Sequence, residues 1–155
     1  MAVTNIAKAT IVENIWQNFY DRVKEQVTTV SITGVGTVTI QNYVSAYSDK
    51  LLSQKSNYPI IVVESPSINS EYHTTSKDKY IGGVSVEVMA NQAEAADKFL
   101  SAVIESIETF RQNWRNINLS NIELQSTDSD MAERGGIKLH ARRATYSFEY
   151  HFIKS

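Results

Sequence analysis

The sequence contains no cysteine, and this absence excludes several kinds of site at once. Disulfide bonds, thiolate-bound zinc, iron–sulfur clusters and cysteine nucleophiles all need a thiol. The sequence also lacks a run of about 18 apolar residues that could form a membrane-spanning helix. Its N-terminal stretch carries Asn, Lys and Glu instead of the apolar segment of a signal peptide. We therefore expect a soluble protein, made in a cytoplasm, with no membrane among its partners.

An excess of basic residues is lacking as well. The chain has 15 Lys and Arg against 17 Asp and Glu, and its formal net charge is -2. Proteins that hold nucleic acid through its phosphates usually show a strong basic excess, so we do not expect tight DNA binding. A hydrophobic fraction of 42% argues against disorder, and the length of 155 residues suits one domain, assigned to residues 1–155.

The first part of the chain has the spacing of an amphipathic helix. Apolar residues recur at intervals of three and four from Val12 to Val23, which places them on one side of a helix. The pattern predicts that this helix ends at about Gln26. Thr10 and Glu13 have the spacing of a capping box, in which each side chain bonds to the other residue's backbone N–H.

A second amphipathic helix is predicted in the C-terminal half. Its apolar residues run at helical spacing from Ala96 to Trp114. Asn91 and Glu94 precede this run and resemble a capping box. The apolar side of each helix is expected to pack in the core, so the two tryptophans are read as core residues.

Strands are predicted by runs in which apolar and polar residues alternate. The runs Val30–Ile32 and Val38–Ile40 lie on either side of Gly34-Val35-Gly36, which suits the turn of a β-hairpin. A strand follows this turn, so it does not fit a dinucleotide-binding loop, which leads into a helix. The run Ile60–Val63 after Pro59 is apolar throughout and predicts a central strand covered on both faces. Further strands are predicted at Val84–Val88, at Ile122–Leu124 and from Ile137 to Phe152.

The last predicted strand has two unlike sides from His140 onward. One side is aromatic and the other is polar. Lys138, Arg142 and Arg143 lie beside these aromatic residues, as they do on some RNA-stacking surfaces. We favour packing against a helix, because the aromatic residues share their side with Ala144 and Phe152.

Three polar stretches are predicted to be loops: Tyr43–Lys55, Ser67–Lys79 and Ser126–Gly136. Together with the helices and strands they predict an α+β fold. It has a mostly antiparallel β-sheet with two long amphipathic helices packed on it, and an extended β-hairpin in the N-terminal half.

No pattern of catalytic or metal-binding residues is recognised. His140 and His151 are expected on opposite faces of the last strand, which does not suit a metal site with His73. Asp128 and Asp130 lack the further ligands of a calcium loop, so a solvated acidic loop is the better interpretation. No Gly-x-Ser-x-Gly marks a nucleophilic serine. We expect no catalytic residues, no metal and no cofactor, and we expect that the protein is not an enzyme.

The order of segments resembles that of tail-terminator proteins from long-tailed phages and related viruses. The matching features are an N-terminal helix, a hairpin, the stretch Tyr47-Ser48-Asp49-Lys50 and the Pro-led apolar strand Pro59–Val63. A polar loop, a strand that feeds a long helix (Val84 through Phe110) and the final strand from Leu139 to Phe152 complete the order. The resemblance covers most of the chain and depends on order and spacing.

This resemblance implies a structural virion protein that works in the neck of the virus. Such proteins form homo-oligomeric rings, commonly hexamers, that cap the tail tube and present a surface to the head connector or head-closure protein. DNA passes through the ring without specific binding, and assembly takes place in the host cytoplasm. The two long polar stretches are then candidate assembly loops, with the candidate contact residues Tyr72, His73, Lys77, Asp78, Lys79, Asp128, Asp130, Glu133 and Arg134.

Two alternatives stay open at this point. The first is a head-closure or other neck or tail-completion protein, which belongs to the same class but has a different neighbour. The second is a small α+β ligand-binding domain or enzyme with a pocket between sheet and helices. The second lacks a recognisable cluster of convergent polar residues.

Overall fold

The computed structural model describes residues 3–134 and 136–153. Gly135, which is predicted to close a polar loop with Gly136, lies outside the described residues. The elements in chain order are α1 (Ile11–Gln26), β1 (Thr29–Ile32), β2 (Gly36–Thr39), β3 (Asn42–Val44), α2 (Asp49–Leu52), β4 (Ile60–Val63), β5 (Ser67–His73), β6 (Lys77–Ala90), α3 (Ala93–Glu108), α4 (Arg111–Asn116), β7 (Leu119–Arg134) and β8 (Ile137–Ile153). The predicted α+β fold is confirmed, with two long helices and a hairpin formed by β1 and β2.

The main sheet has the strand order β3-β4-β6-β8-β7, and β5 also pairs with β6. Among the described strands only β3 and β4 run parallel, so the sheet is mostly antiparallel, as predicted. Strand β6 is long enough to have two partners on one side. Its C-terminal half pairs with β4, and its N-terminal half pairs with β5.

The main core lies between one face of the sheet and the helices α1 and α3. Phe19 on α1 stacks on Trp114 with ring centroids 5.0 Å apart and also contacts Phe148 on β8. Tyr146 and Tyr150 are buried on the same face of β8, which confirms their interpretation as core residues. We call this the helix face, and the opposite side the open face.

Within residues 3–134 and 136–153, the open face is covered at one end only. There Tyr58, Ile60, Val62, Met89, Leu139 and Ala141 form a second, smaller apolar cluster, against which Leu51 and Leu52 of α2 pack. Leu139 and Ala141 therefore project from β8 opposite to the aromatic residues and are still buried. The polar side predicted from His140 onward is wrong at Ala141, because α2 and the segment before β4 supply apolar cover there.

Several local predictions are wrong. Ser67–His73 and Lys77–Lys79 belong to the paired strands β5 and β6, and Ser126–Arg134 belongs to β7, so most of the two predicted loops is strand. The segment Tyr43–Lys55 contains part of β3 and the short helix α2, which begins where the Ser48 hydroxyl accepts from the Leu51 N–H. Exposed strands need no apolar residues, so their sequences lack the alternation that identifies a strand.

The ends of the helices also differ from the prediction. Thr10 makes no side-chain cap, and its hydroxyl instead donates to the Asn14 side chain at 2.7 Å. Asn91 is not a cap either, because α3 has Gln92 at its N-cap and no side-chain bond there. The second helix is divided into α3 and α4, and the turn between them lets the Trp114 indole donate to the Ile107 carbonyl at 2.9 Å.

Candidate functional site

The candidate contact residues fall into two groups at opposite ends of the sheet. Lys77, at the start of β6, pairs with Ile153, whereas Arg134, at the end of β7, pairs with Ile137. At about 3.3 Å per residue, the length of β8 between these pairs separates the outermost members of the groups by roughly 50 Å. The nearest members, Lys79 and Asp128, pair with β8 residues that are roughly 26 Å apart. The structure therefore does not bring the two predicted loops into one site.

Asp78 is the centre of a polar cluster on the β5–β6 hairpin. Its side chain is 0% exposed, which is unusual for a carboxylate unless it is paired. Lys8 donates to Oδ2 at 2.6 Å, and Nδ1 of His73 lies 2.8 Å from Oδ1. Asp78 is therefore not the exposed loop charge that the sequence suggests, but an internal anchor between the N-terminal segment and the hairpin.

His73 extends this cluster to Ser70. The Ser70 hydroxyl lies 2.6 Å from Nε2 of His73, on the ring edge opposite to the Asp78 carboxylate. The three side chains project to the helix face, because the pairs Ser70–Tyr80 and His73–Asp78 lie on that side of β6. The His73 ring also meets the Tyr80 ring edge-on, with centroids 5.9 Å apart.

Lys8 closes the cluster from the N-terminal side. Its hydrogen bond to Asp78 raises the pKa of Lys8 above the usual value of a lysine. The Lys8 ammonium also lies 5.5 Å from the centroid of the Phe152 ring. The segment before Lys8 is held by the Asn18 side chain, which bonds both the N–H and the carbonyl of Thr4, and by the Tyr150 hydroxyl, which donates to the Ile6 carbonyl.

The other candidate residues of the first hairpin lie on the open face. The Lys79 ammonium lies 2.7 Å from Glu149 and 3.1 Å from Glu71. The hydrogen bond that Lys79 donates to Glu149 is the largest cause of the raised pKa of Lys79, and its hydrogen bond to Glu71 is the next largest. The same contact with Lys79 lowers the pKa of Glu149. These residues line an open, polar groove of about 670 Å³ that extends to Glu123 on β7. Lys77 and Tyr72 lie at the hairpin end beside it.

The second group lies along β7 and close to its turn. Asp128 pairs across the strands with Arg143, and the Asp130 carboxylate accepts from the Met131 N–H at 2.8 Å. Glu133 is exposed and pairs with Lys138, and Arg134 is the last residue of β7. From Gln125 to Met131 the strand is exposed on both faces. Among the described strands, none pairs with its outer edge.

The described residues include no group of three or more His, Asp or Glu side chains that could hold a metal ion. His73 is on the helix face of the β5–β6 hairpin, whereas His151 pairs with Lys79 on the open face. None of the described helices is both long and apolar enough to cross a membrane.

Two residues of the polar cluster were not recognisable from the sequence. Ser70 lies in a segment that reads as a loop, and Lys8 is 70 positions from the carboxylate that it contacts. Recognising that β5 and β6 form a hairpin would have brought Ser70, His73 and Asp78 together. No known protein-family model matches this chain, and the comparison with curated proteins also finds no match.

Proposed function

We propose that this chain is a structural virion protein, a tail terminator whose copies associate into a ring. By the resemblance noted above, a hexamer would cap the tail tube, join it to the head connector and let DNA pass through its centre. The observation that supports this proposal is the outer edge of β7. This strand has 16 residues and carries no pairing partner on its outer side within the described chain.

A long free edge favours association because its backbone N–H and C=O groups can pair with another strand. Met131 strengthens this argument, since it lies on the edge strand and is 65% exposed. The opposite side of the sheet ends in β3 and β5, which are edges too. Two different edges on opposite sides can join head to tail, and such heterologous contacts form a ring when the rotation between successive copies closes.

The charges of the open face suit a surface along which DNA moves. Its carboxylates outnumber its cations, because Glu71 and Glu149 flank Lys79, while Glu64 and Glu87 flank Arg143. Glu123, Asp128 and Asp130 add further negative charge on β7. An acidic surface repels phosphates, so a ring with this face toward its lumen would pass DNA without holding it.

The test is the molar mass of the protein by size-exclusion chromatography with light scattering, alone and after incubation with purified tail tubes. We expect a closed ring, with a mass that is a multiple of 17.4 kDa. Met131→Lys places a charge at the free edge and should reduce the ring to monomers. Ser101→Lys makes the same charge change on an exposed position of α3 and should leave the ring intact.

Two results would count against the proposal. One is a monomer that stays monomeric at high concentration and on tail tubes. The other is a ring that Met131→Lys does not affect. Binding to head connectors but not to tail tubes would instead support the head-closure alternative, in which the same surface meets a different neighbour.

A further inference from the structure

We propose that Ser70 is a base-activated nucleophile that accepts acyl groups from small, activated carboxylic esters. The proposal rests on the chain of contacts from Ser70 through His73 to Asp78, and it does not depend on ring formation. In this chain Ser70 is the nucleophile, His73 is its general base, and the Asp78 carboxylate orients the base.

For a neutral His73 ring, the contacts favour one arrangement of the protons in this chain. The Asp78 carboxylate also receives the Lys8 ammonium, so it is ionised and can only accept hydrogen bonds. Nδ1 of His73 must then carry the proton in the 2.8 Å contact with Oδ1. In a neutral imidazole, the other nitrogen has no proton, so Nε2 accepts and the Ser70 hydroxyl donates at 2.6 Å.

The reaction that follows from this arrangement is acyl transfer to Ser70. The Ser70 oxygen forms a bond to the ester carbonyl carbon, and its proton passes to Nε2 of His73. The bond between this carbon and the alcohol oxygen breaks, and the imidazolium returns the proton to the departing alcohol. Water then attacks the acyl-serine with His73 again as base, which releases the carboxylic acid and restores Ser70.

The surroundings limit both the substrate and the rate. Ser70 is exposed and His73 is 54% exposed, so the hydroxyl is reached from solvent. The Lys8 ammonium and the His73 ring both contact the Asp78 carboxylate. Lys8 therefore weakens the stabilisation that Asp78 gives to the His73 imidazolium. We therefore expect a general-base contribution at the lower end of its usual range, about 10²-fold, and activity toward activated esters only.

The test is covalent labelling with an alkyl fluorophosphonate, which forms a phosphorus–oxygen bond with an activated serine and releases fluoride. Peptide mapping by mass spectrometry gives the labelling rate at each serine. Ser101 is an internal control, because its exposed hydroxyl donates to a backbone carbonyl, that of Asp97, instead of an imidazole. We expect Ser70 to react about 10²-fold faster than Ser101.

His73→Gln separates activation from structure. Glutamine retains a hydrogen-bonding side chain at this exposed position but cannot take the proton, so the rate at Ser70 should fall to that at Ser101. p-Nitrophenyl acetate hydrolysis should fall in parallel, while the circular dichroism spectrum stays unchanged. Equal rates at Ser70 and Ser101, absence of labelling, or a rate that His73→Gln does not change would each overturn the proposal.

Discussion

At Gly82 the structure predicts a large loss of stability when glycine is replaced by alanine, which adds a single methyl group. It lies in β6 between Ile68 of β5 and Phe148 of β8. A Cβ atom there would lie 2.3 Å from the Ser67 carbonyl oxygen and 2.8 Å from the Phe148 ring. The carbonyl belongs to a paired strand, and the ring is buried against Phe19, so neither can move cheaply.

The neighbouring glycine provides a matched control. At Gly83 the same atom would lie 3.2 Å from the Tyr146 carbonyl oxygen and 3.9 Å from the Ser67 hydroxyl, which small shifts can relieve. Overpacking typically costs about 1–3 kcal/mol, and the Gly82 contacts indicate a cost of about 2 kcal/mol beyond that at Gly83. The loss of chain entropy in the unfolded state is similar for both alanine variants and cancels in their difference.

The assay is urea unfolding of Gly82→Ala and Gly83→Ala, supported by thermal melting. For a domain of this size, a difference of 2 kcal/mol corresponds to about 4–8 °C in Tm. Since the clash pushes on Ser67 in β5, Gly82→Ala should also slow the labelling of Ser70. If the two variants unfold at the same urea concentration, the close approach of β5 to β6 at Gly82 is refuted.

Two further perturbations follow from the buried and charged groups. The Tyr146 hydroxyl is buried and has no hydrogen-bond partner among the described residues, so Tyr146→Phe should stabilise the protein by about 1 kcal/mol. Tyr150→Phe removes the hydrogen bond to the Ile6 carbonyl and should destabilise the protein by a similar amount, about 1 kcal/mol. Urea unfolding measures both variants, and changes in stability of the same sign for Tyr146→Phe and Tyr150→Phe would contradict this reasoning. Lys79 has a raised pKa and Glu149 a lowered one, so their contact stabilises the fold fully between about pH 4.5 and pH 10.5, the ordinary pKa values of the two groups. This stabilisation is lost as the pH rises through the raised pKa of Lys79 or falls through the lowered pKa of Glu149. In unfolding measurements across pH, Lys79→Met should be less stable than the wild type between these limits and should approach it outside them; a constant difference would exclude an electrostatic origin.

The sequence predicts the buried elements well because burial imposes a periodic pattern. The strand β4 and, except for the exposed Val12, the helix α1 have the predicted apolar residues where the core requires them, and both were identified close to their observed ends. The aromatic side of β8 was identified for the same reason. These elements pack against one another, so their residue choice is restricted on at least one face.

The exposed strands could not be predicted in this way. From Gln125 to Met131, β7 is exposed on both faces, and its Ser, Thr and Asp residues satisfy no periodic requirement. Its pairing depends on β8, which restricts the backbone but not the side chains. The polar cluster was missed because Lys8 and Asp78 meet only in the folded chain. His73 and Asp78 are both among the predicted contact residues, but as separate residues of a polar loop and not as partners of each other.

The attachment of the N-terminal segment has a consequence for the timing of folding. The Ile6 carbonyl accepts from Tyr150, which lies 144 positions later in the chain. At about 5–20 residues per second, the ribosome needs roughly 7–30 s to make the chain between them. During synthesis, the segment from Val3 to Lys8 therefore stays without its contact to Tyr150 until β8 has been made. This segment can dock fully only after the final strand has folded.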